Sequence, residues 1–298
     1  MGDPISLRSG LLEVGISPLG AEMVRLSHAG HGEMLWSGDP AWWARTSPIL
    51  FPVVGRSRDD RIVVDGRAYP MPLHGFAHAS RFEVVEASGA RCRLALSDSA
   101  ATRVHYPFAF RLEIEYRLDG AALSVEATVG NPGSVPLPAS LGFHPGFRWP
   151  LRDGLRKPEH FLDFADDDFL DVQRAGDGYI LPETTRLPLQ GRRLWLDEAH
   201  FRQGAMVIAF LKSRRVTFGA RGTALSIQVG SENLPMLGLW MRPGADFLCI
   251  EPWSGHGDRA GLAVELCDRP GMAMLEPGGS RRHRITIVIG GEAPAGPR

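Results

Sequence analysis

The chain has 298 residues, 44% of them apolar and 22% charged, and a net charge of -1 at pH 7. That length supports a sizeable core, as one large β domain or two average ones. Near-zero charge excludes a general electrostatic attraction to nucleic acid or an anionic membrane. Cys92, Cys249 and Cys267 form no CxxC spacing, which argues against a disulfide framework or a zinc knuckle. No basic stretch leads into an apolar one at the start, so no signal peptide is expected. No apolar run approaches the ~18 residues of a membrane span. A cytoplasmic enzyme or binding protein is the expectation.

Abundant glycine and proline between short apolar runs favour many short strands over long helices. In chain order, Asp39-Pro40 before Ala-Trp-Trp-Ala predicts an N-cap and one or two helical turns. Asp65-Gly66 and Ser88-Gly89 read as hairpin turns between apolar stretches. Asp98 to His105 predicts a short helix stopped by Pro107. Asp119-Gly120 is the clearest hairpin. Leu112, Ile114 and Tyr116 alternate with charged residues before it, and Leu123, Val125, Ala127 and Val129 alternate with mostly polar ones after it. Asp-Gly suits a type I′ turn between a buried and a wet face. Residues 151–203 read as a long excursion over one sheet face or the start of a second domain, and strand patterns that resume without a flexible linker favour the excursion. Strands resume at 205–211, 216–220, 224–229, 237–241, 247–250 and 284–289, and 291–298 predicts a frayed tail. No βαβ alternation and no GxGxxG or GxxxxGK[ST] motif is present, which argues against a nucleotide fold. The pattern predicts an all-β antiparallel architecture, a single domain over 1–298.

Four places set a reactive side chain beside glycine or proline. Phe51 to Gly55 ends in Arg56, which suits bidentate contacts with oxygens or simple snorkelling to water. His74 precedes Gly75, which permits close approach of a ligand or strand. In an extended chain His74 and His78 lie ~13 Å apart, too far for one metal. His144 precedes Pro145, with Phe143, Phe147 and Trp149 on the opposite face, so its imidazole is a proton carrier tunable near neutrality or a core hydrogen-bonding group. In the run from Phe247 to Gly255, period-2 geometry puts Phe247, Cys249, Glu251 and Trp253 on one side. Glu251 then sits at a strand end among apolar neighbours, where a desolvated carboxyl gains basicity. The alternative is a strand-end Glu that turns to solvent or meets an Arg. No GxSxG accompanies these residues, and Cys249 lies in an apolar run where thiols are inert. Acid/base chemistry without a covalent intermediate follows, with Trp240, Trp253 and Phe147 suited to the apolar faces of a sugar.

With these residues the chain resembles the aldose 1-epimerase (galactose mutarotase-like) family, particularly its LacX-like branch. The resemblance rests on ISPLGAE at 16–22, FPVVGR at 51–56, LHGFAH at 73–78, YPFAF at 106–110, GFHPGF at 142–147 and LGLWMRPGADFLCIEPWSGHGD at 237–258. It implies an antiparallel β-supersandwich that interconverts the α and β anomers of a monosaccharide with no cofactor and no metal. It implies His144 as the acid at the ring oxygen and Glu251 as the base at the C1 hydroxyl. His74 and Arg56 would hold the sugar, and Trp253 would face it. The partners implied are a sugar alone, no nucleic acid and no membrane, with the chain a monomer or homodimer. Two departures bear on substrate: His78 stands where the branch has Arg, and Gly204 where a sugar-binding Asp is expected, leaving Asp197 or Asp246 to substitute. The competing readings are a hexose-6-phosphate mutarotase with a rim of Arg148, Arg152 and Arg156, a non-catalytic carbohydrate-binding module, and a cupin-like metal enzyme using His74, His144 and Glu251.

Overall fold

The structure is a computed structural model that describes residues 3–259 and 264–290. The 291–298 tail lies outside the described residues. Two large sheets dominate, and every pairing between their strands is antiparallel among the described residues. The nine-stranded sheet runs Arg193–Trp195, His160–Phe164, Arg215–Ala220, Ser226–Glu232, Ser280–Ile289, Ala122–Gly130, Arg111–Asp119, Arg91–Ser97 and Glu83–Ala87. The eight-stranded sheet runs Tyr179–Pro188, Phe169–Gly176, Ala205–Ile208, Met236–Trp240, Phe247–Trp253, Gly142–Phe143 and Ile49–Leu50, with Gly146–Arg148 also paired to Phe247–Trp253. A four-stranded sheet, from Ile5–Arg8 to Gly32–Glu33, packs its apolar side into the same core. The all-β antiparallel expectation holds.

The hairpin at Asp119-Gly120 forms in the expected register, with Leu112, Ile114, Tyr116, Leu123, Val125 and Ala127 buried and Arg111, Arg117 and Asp119 outward. Its turn differs. Asp119 pairs with Ala122, so the loop is Gly120-Ala121, with positive φ (57°) at Gly120 and not at Ala121. That is the pattern of a type II′ turn, equally matched to strand twist. The type I′ geometry occurs at Asp65-Gly66, φ 50° and 71°, between Arg61–Val64 and Arg67–Pro70. The short helix forms at Ala100–Arg103, capped by Ser99, whose Oγ accepts from Thr102 N–H. Asp39 caps a single turn, its Oδ1 accepting from Ala41 N–H, but no helix follows.

Residues 151–203 are not an excursion. His160–Phe164 and Arg193–Trp195 enter the nine-stranded sheet, and Phe169–Gly176 with Tyr179–Pro188 forms the outer hairpin of the eight-stranded one. Tyr179–Pro188 is an edge strand, exposed along most of its length. It therefore lacks the apolar alternation from which strands are read. Its turn, Asp177-Gly178 (φ 50° and 85°), is the one local signal that marks it. That turn is delivered to the mouth of the cleft described next.

Candidate active site

The Phe247–Trp253 strand lies inside the eight-stranded sheet and is buried at every residue. Continuous apolar character follows, because both faces are covered. Glu251 is therefore within the strand and not at its end. It lies opposite Gly238, and Trp253 lies opposite Gly142. These glycines are required. A Cβ at Gly238 would come 2.4 Å from the Trp253 ring, and one at Gly142 2.6 Å. The indole thus lies across two bare backbones beside the Glu251 carboxyl.

His144 sits between the short strands Gly142–Phe143 and Gly146–Arg148. Phe143 and Phe147 turn into the core and His144 turns the other way, as the alternation predicts. Phe147 is consequently unavailable to a ligand. The His144 ring is 4.9 Å from that of Trp43, 5.8 Å from Trp240 and 5.6 Å from His74. Its Nε2 is 3.1 Å from Glu251 Oε2. The angle does not make a hydrogen bond: neither carboxyl oxygen has a hydrogen-bonding partner, nor do His144 Nδ1 and Trp253 Nε1. Burial pushes Glu251 well above the usual carboxylate range and His144 well below the usual imidazole range. The Trp253 indole N–H, which faces the carboxyl, offsets part of the upward shift. Both shifts favour the uncharged forms, a protonated carboxyl beside a neutral imidazole.

His74 occupies a left-handed turn (φ 65°), its N–H donating to Gly55 O at 3.0 Å. Gly75 makes the close approach anticipated for it, since a Cβ there would be 2.1 Å from Phe51 O. Gly55 N–H donates to His74 Nδ1 at 3.1 Å. This fixes the tautomer and leaves Nε2–H as a donor. Burial, then His78 and Arg56, lowers the His74 pKa to about 3. The segment is a turn leading into the 3-10 helix Ala77–Ala79, not an extended chain, so His78 also lines the cleft.

Arg56 donates from Nε to Asp177 O at 2.7 Å and pairs with Asp60 at 2.5 Å. Three backbones converge beside it: a Cβ at Gly55 would be 2.4 Å from Gly257 N, and one at Gly257 2.4 Å from Gly178 O. Behind them, the buried ion pair Arg269–Asp258 (2.8 Å) ties this junction down, and Arg269 Nη1 donates to Ser57 Oγ. On the opposite side Glu22, buried, accepts from Thr46 N–H (2.7 Å), Thr46 Oγ1 (3.0 Å), Ser47 N–H (3.1 Å) and Arg45 Nη1 (3.3 Å). It anchors the segment that supplies Trp43 and Arg45 to the cleft.

The result is a cleft of about 770 Å³ with the His144–Glu251 pair at its wall, a size suited to a small ligand. The four polar residues expected from the sequence, Arg56, His74, His144 and Glu251, all line it, as does Trp253. His78, a departure expected to bear on substrate, lines it too. Trp43, Arg45 and Asp177 also line it and were not anticipated; the Trp42-Trp43 pair was the available signal for the first. Neither proposed substitute for the family Asp reaches it. Asp197 caps a 3-10 turn by accepting from Ala199 N–H, and Asp246 pairs with Lys157. Gly204 does line the cleft, but at φ 92° with Ala175 O 2.1 Å from a built Cβ, it admits no side chain. Asp177 is the exposed carboxylate there instead. The arginine rim is also displaced: Arg148 pairs with Asp153 and Arg156 with Glu159, away from the cleft. The donor nearest the pair is not His74 but Cys249, so the cupin-like ligand set does not assemble.

Known proteins agree with this architecture. The chain is 27% identical over 300 aligned positions to plasmid-encoded Protein LacX of Lactococcus lactis, covering 96% of this chain and 99% of that one. A galactose mutarotase related enzyme from Lactobacillus acidophilus superposes with a TM-score of 0.90 at 25% identity, covering 99% of this chain and 100% of that one. A galactose mutarotase-like protein from Lactobacillus casei gives 0.86 at 27% identity, with 96% and 99% covered. These make the fold galactose mutarotase-like. Because the aldose 1-epimerase model matches residues 3–286, nearly the whole chain, the protein belongs to the aldose 1-epimerase family.

Proposed function

We propose that the protein interconverts the α and β anomers of a free aldose, with His144 and Glu251 exchanging protons with the sugar. The observation that carries this reading is the pair itself, two titratable groups 3.1 Å apart, buried, and without hydrogen-bonding partners, at the wall of a sugar-sized cleft. Bound hydroxyls replace the solvation that burial removed, which brings the imidazolium–carboxylate form within reach. His144 then gives its proton to the ring oxygen while Glu251 takes the C1 hydroxyl proton. The bond from C1 to the ring oxygen breaks and C1 becomes the aldehyde carbon. This leaves neutral His144 and protonated Glu251, the form that burial already favours, so the open-chain complex is stabilised by the same desolvation. Rotation about C1–C2 and closure from the other face reverse both transfers. Each positioned group contributes typically about 10²–10⁴-fold.

His74 Nε2–H and Arg56 serve as donors to the sugar oxygens. Trp43 and Trp240, at the His144 ring, offer faces for its C–H surface. Both arginines of the cleft are already engaged with carboxylates, Arg45 with Glu22 and Arg56 with Asp60. This favours a neutral sugar over a phosphorylated one. In this proposal one mutarotase-like domain carries the site, and the free Cys92, Cys249 and Cys267 suit a reducing cytoplasm.

The test is anomer exchange in freshly dissolved α-D-glucose and α-D-galactose, followed by anomeric proton signals. Acceleration that disappears in Glu251→Gln and His144→Asn supports the proposal. No acceleration over a panel of free and phosphorylated sugars overturns it, and sugar binding without exchange would make the protein a carbohydrate-binding module.

A further inference from the structure

Beneath the acid/base pair lies a third group able to bind a metal, which the proposed reaction does not use. Cys249 precedes Glu251 by two residues on the same strand and faces the same way. Among the described residues, His144, Cys249 and Glu251 are a buried set whose ligand atoms lie within 4.8 Å of one another. Gly146 lies opposite Cys249 and is required by the Trp43 ring, which a Cβ there would meet at 2.8 Å.

Two features point to a cation as the partner of this cluster. The first is the mismatch between distance and angle in the pair. At 3.1 Å, Nε2 and Oε2 are within hydrogen-bonding distance, yet both carboxyl oxygens remain without a hydrogen-bonding partner. A cation bound by both atoms would give the carboxyl the partner it lacks. Bond lengths of about 2.0 to 2.1 Å to zinc put two tetrahedral ligands ~3.3 Å apart, close to the observed separation. The second is the chemistry of the set. Imidazole, thiolate and carboxylate are the three side-chain ligands zinc takes, and the open side toward the cleft leaves its fourth position for water. The Sγ must close by about 1 Å to complete a tetrahedral edge.

We propose that His144, Cys249 and Glu251 form an inhibitory site for a zinc-class divalent cation. On binding, the Cys249 thiol proton and the Glu251 carboxyl proton leave to solvent, and three ligand bonds form. The metal removes both proton carriers at once, so occupancy stops proton transfer. The site is not that of a resident metal. His144 Nδ1 has no second partner to orient the ring, the support that built metal sites give their histidines. Binding is therefore reversible and competes with sugar for the same wall.

The experiment is run in a Cys267→Ser background, because Cys267 is the exposed thiol. Chelator-treated protein is titrated with Co²⁺ and its near-ultraviolet thiolate-to-cobalt band recorded. Zn²⁺ inhibition of anomer exchange is measured in parallel. The expected result is a thiolate band that disappears in Cys249→Ser, whose metal-free activity stays within about twofold, with about tenfold or more zinc needed for half-inhibition. Absence of the band, or zinc inhibition unchanged in Cys249→Ser, overturns the proposal. Cys249→Ala is the second variant should the serine fail to fold. The cobalt band is read without any sugar. A protein inactive on every sugar therefore removes the functional proposal and leaves this one to be decided.

Discussion

Two buried glutamates divide the molecule between support and chemistry. Glu22 is 5% exposed and Glu251 1%. Glu22 accepts four hydrogen bonds from the 45–47 segment, one of them from Arg45, its ion-pair partner. Glu251 accepts none and faces a histidine that burial has stripped of charge. Equal burial therefore has opposite meanings. A carboxyl surrounded by donors fixes the loop that supplies them. One left among apolar side chains and a neutral imidazole is pushed well above the usual carboxylate range and keeps its proton. The same contrast separates the two arginines behind the cleft: Arg269 is spent on Asp258 and Ser57 in the interior, while Arg56 reaches the cleft itself.

The sharpest way to break the contrast is to make the same small change at both positions. Glu251→Gln is expected to lower anomer exchange by about 10²–10⁴-fold, with a melting temperature close to the parent's, since a neutral carboxyl without partners is replaced by a neutral amide of the same shape. Glu22→Gln is expected to cost about 3 kcal/mol through the mismatched amide, a fall of roughly 6–12 °C in melting temperature. Its exchange rate below the transition is expected to stay within about tenfold of the parent. Calorimetry and anomeric proton exchange read both; equal losses of stability in the two variants would erase the distinction.

Acid provides the next test. The pKa values of His74 and His283 are lowered by burial to about 3 and about 4, from 6.5 in an unstructured chain. A depressed pKa contributes stability above the unfolded value and loses it as pH falls. The melting temperature should therefore decline from about pH 6.5 downward, with His283→Phe flattening part of the slope. A melting temperature flat from pH 7 to 4 would contradict the burial of these rings.

Activity has a different dependence. The pair works with one proton: it gains a second only below the lowered His144 value and loses the last only above the raised Glu251 value. The pH–rate profile should be a wide plateau rather than a narrow bell. The smallest effect belongs to Trp253→Phe, which keeps the ring and deletes the N–H facing the carboxyl. Removing a group that lowers the Glu251 pKa shifts the alkaline limb upward, with a rate loss of only a few-fold at neutral pH. An unchanged limb would mean that Trp253 serves packing alone.

Much of this was legible in the residues. Alternation around Asp119-Gly120 predicts both the hairpin and its buried face, because side chains in a strand must alternate and water selects which side is apolar. The positions of Arg56, His74, His144 and Glu251 beside glycine or proline marked them as candidates, and all four line the cleft. Tyr179–Pro188 was not legible, because an edge strand has no buried face to write a pattern. Asp177 at its turn was therefore missed at the cleft mouth. His78 was misplaced because a left-handed turn at His74 folds an apparently extended segment back on itself.

By itself the sequence determined the antiparallel strands and which polar residues lie where chains turn. Both follow from local rules of alternation and of backbone freedom at glycine. Only the tertiary structure decided what those residues do. Whether a carboxyl meets four donors or none depends on segments more than twenty residues away for Glu22, and about a hundred for the His144–Glu251 pair. Burial and partnering, which set a proton's position, arise only when those segments meet.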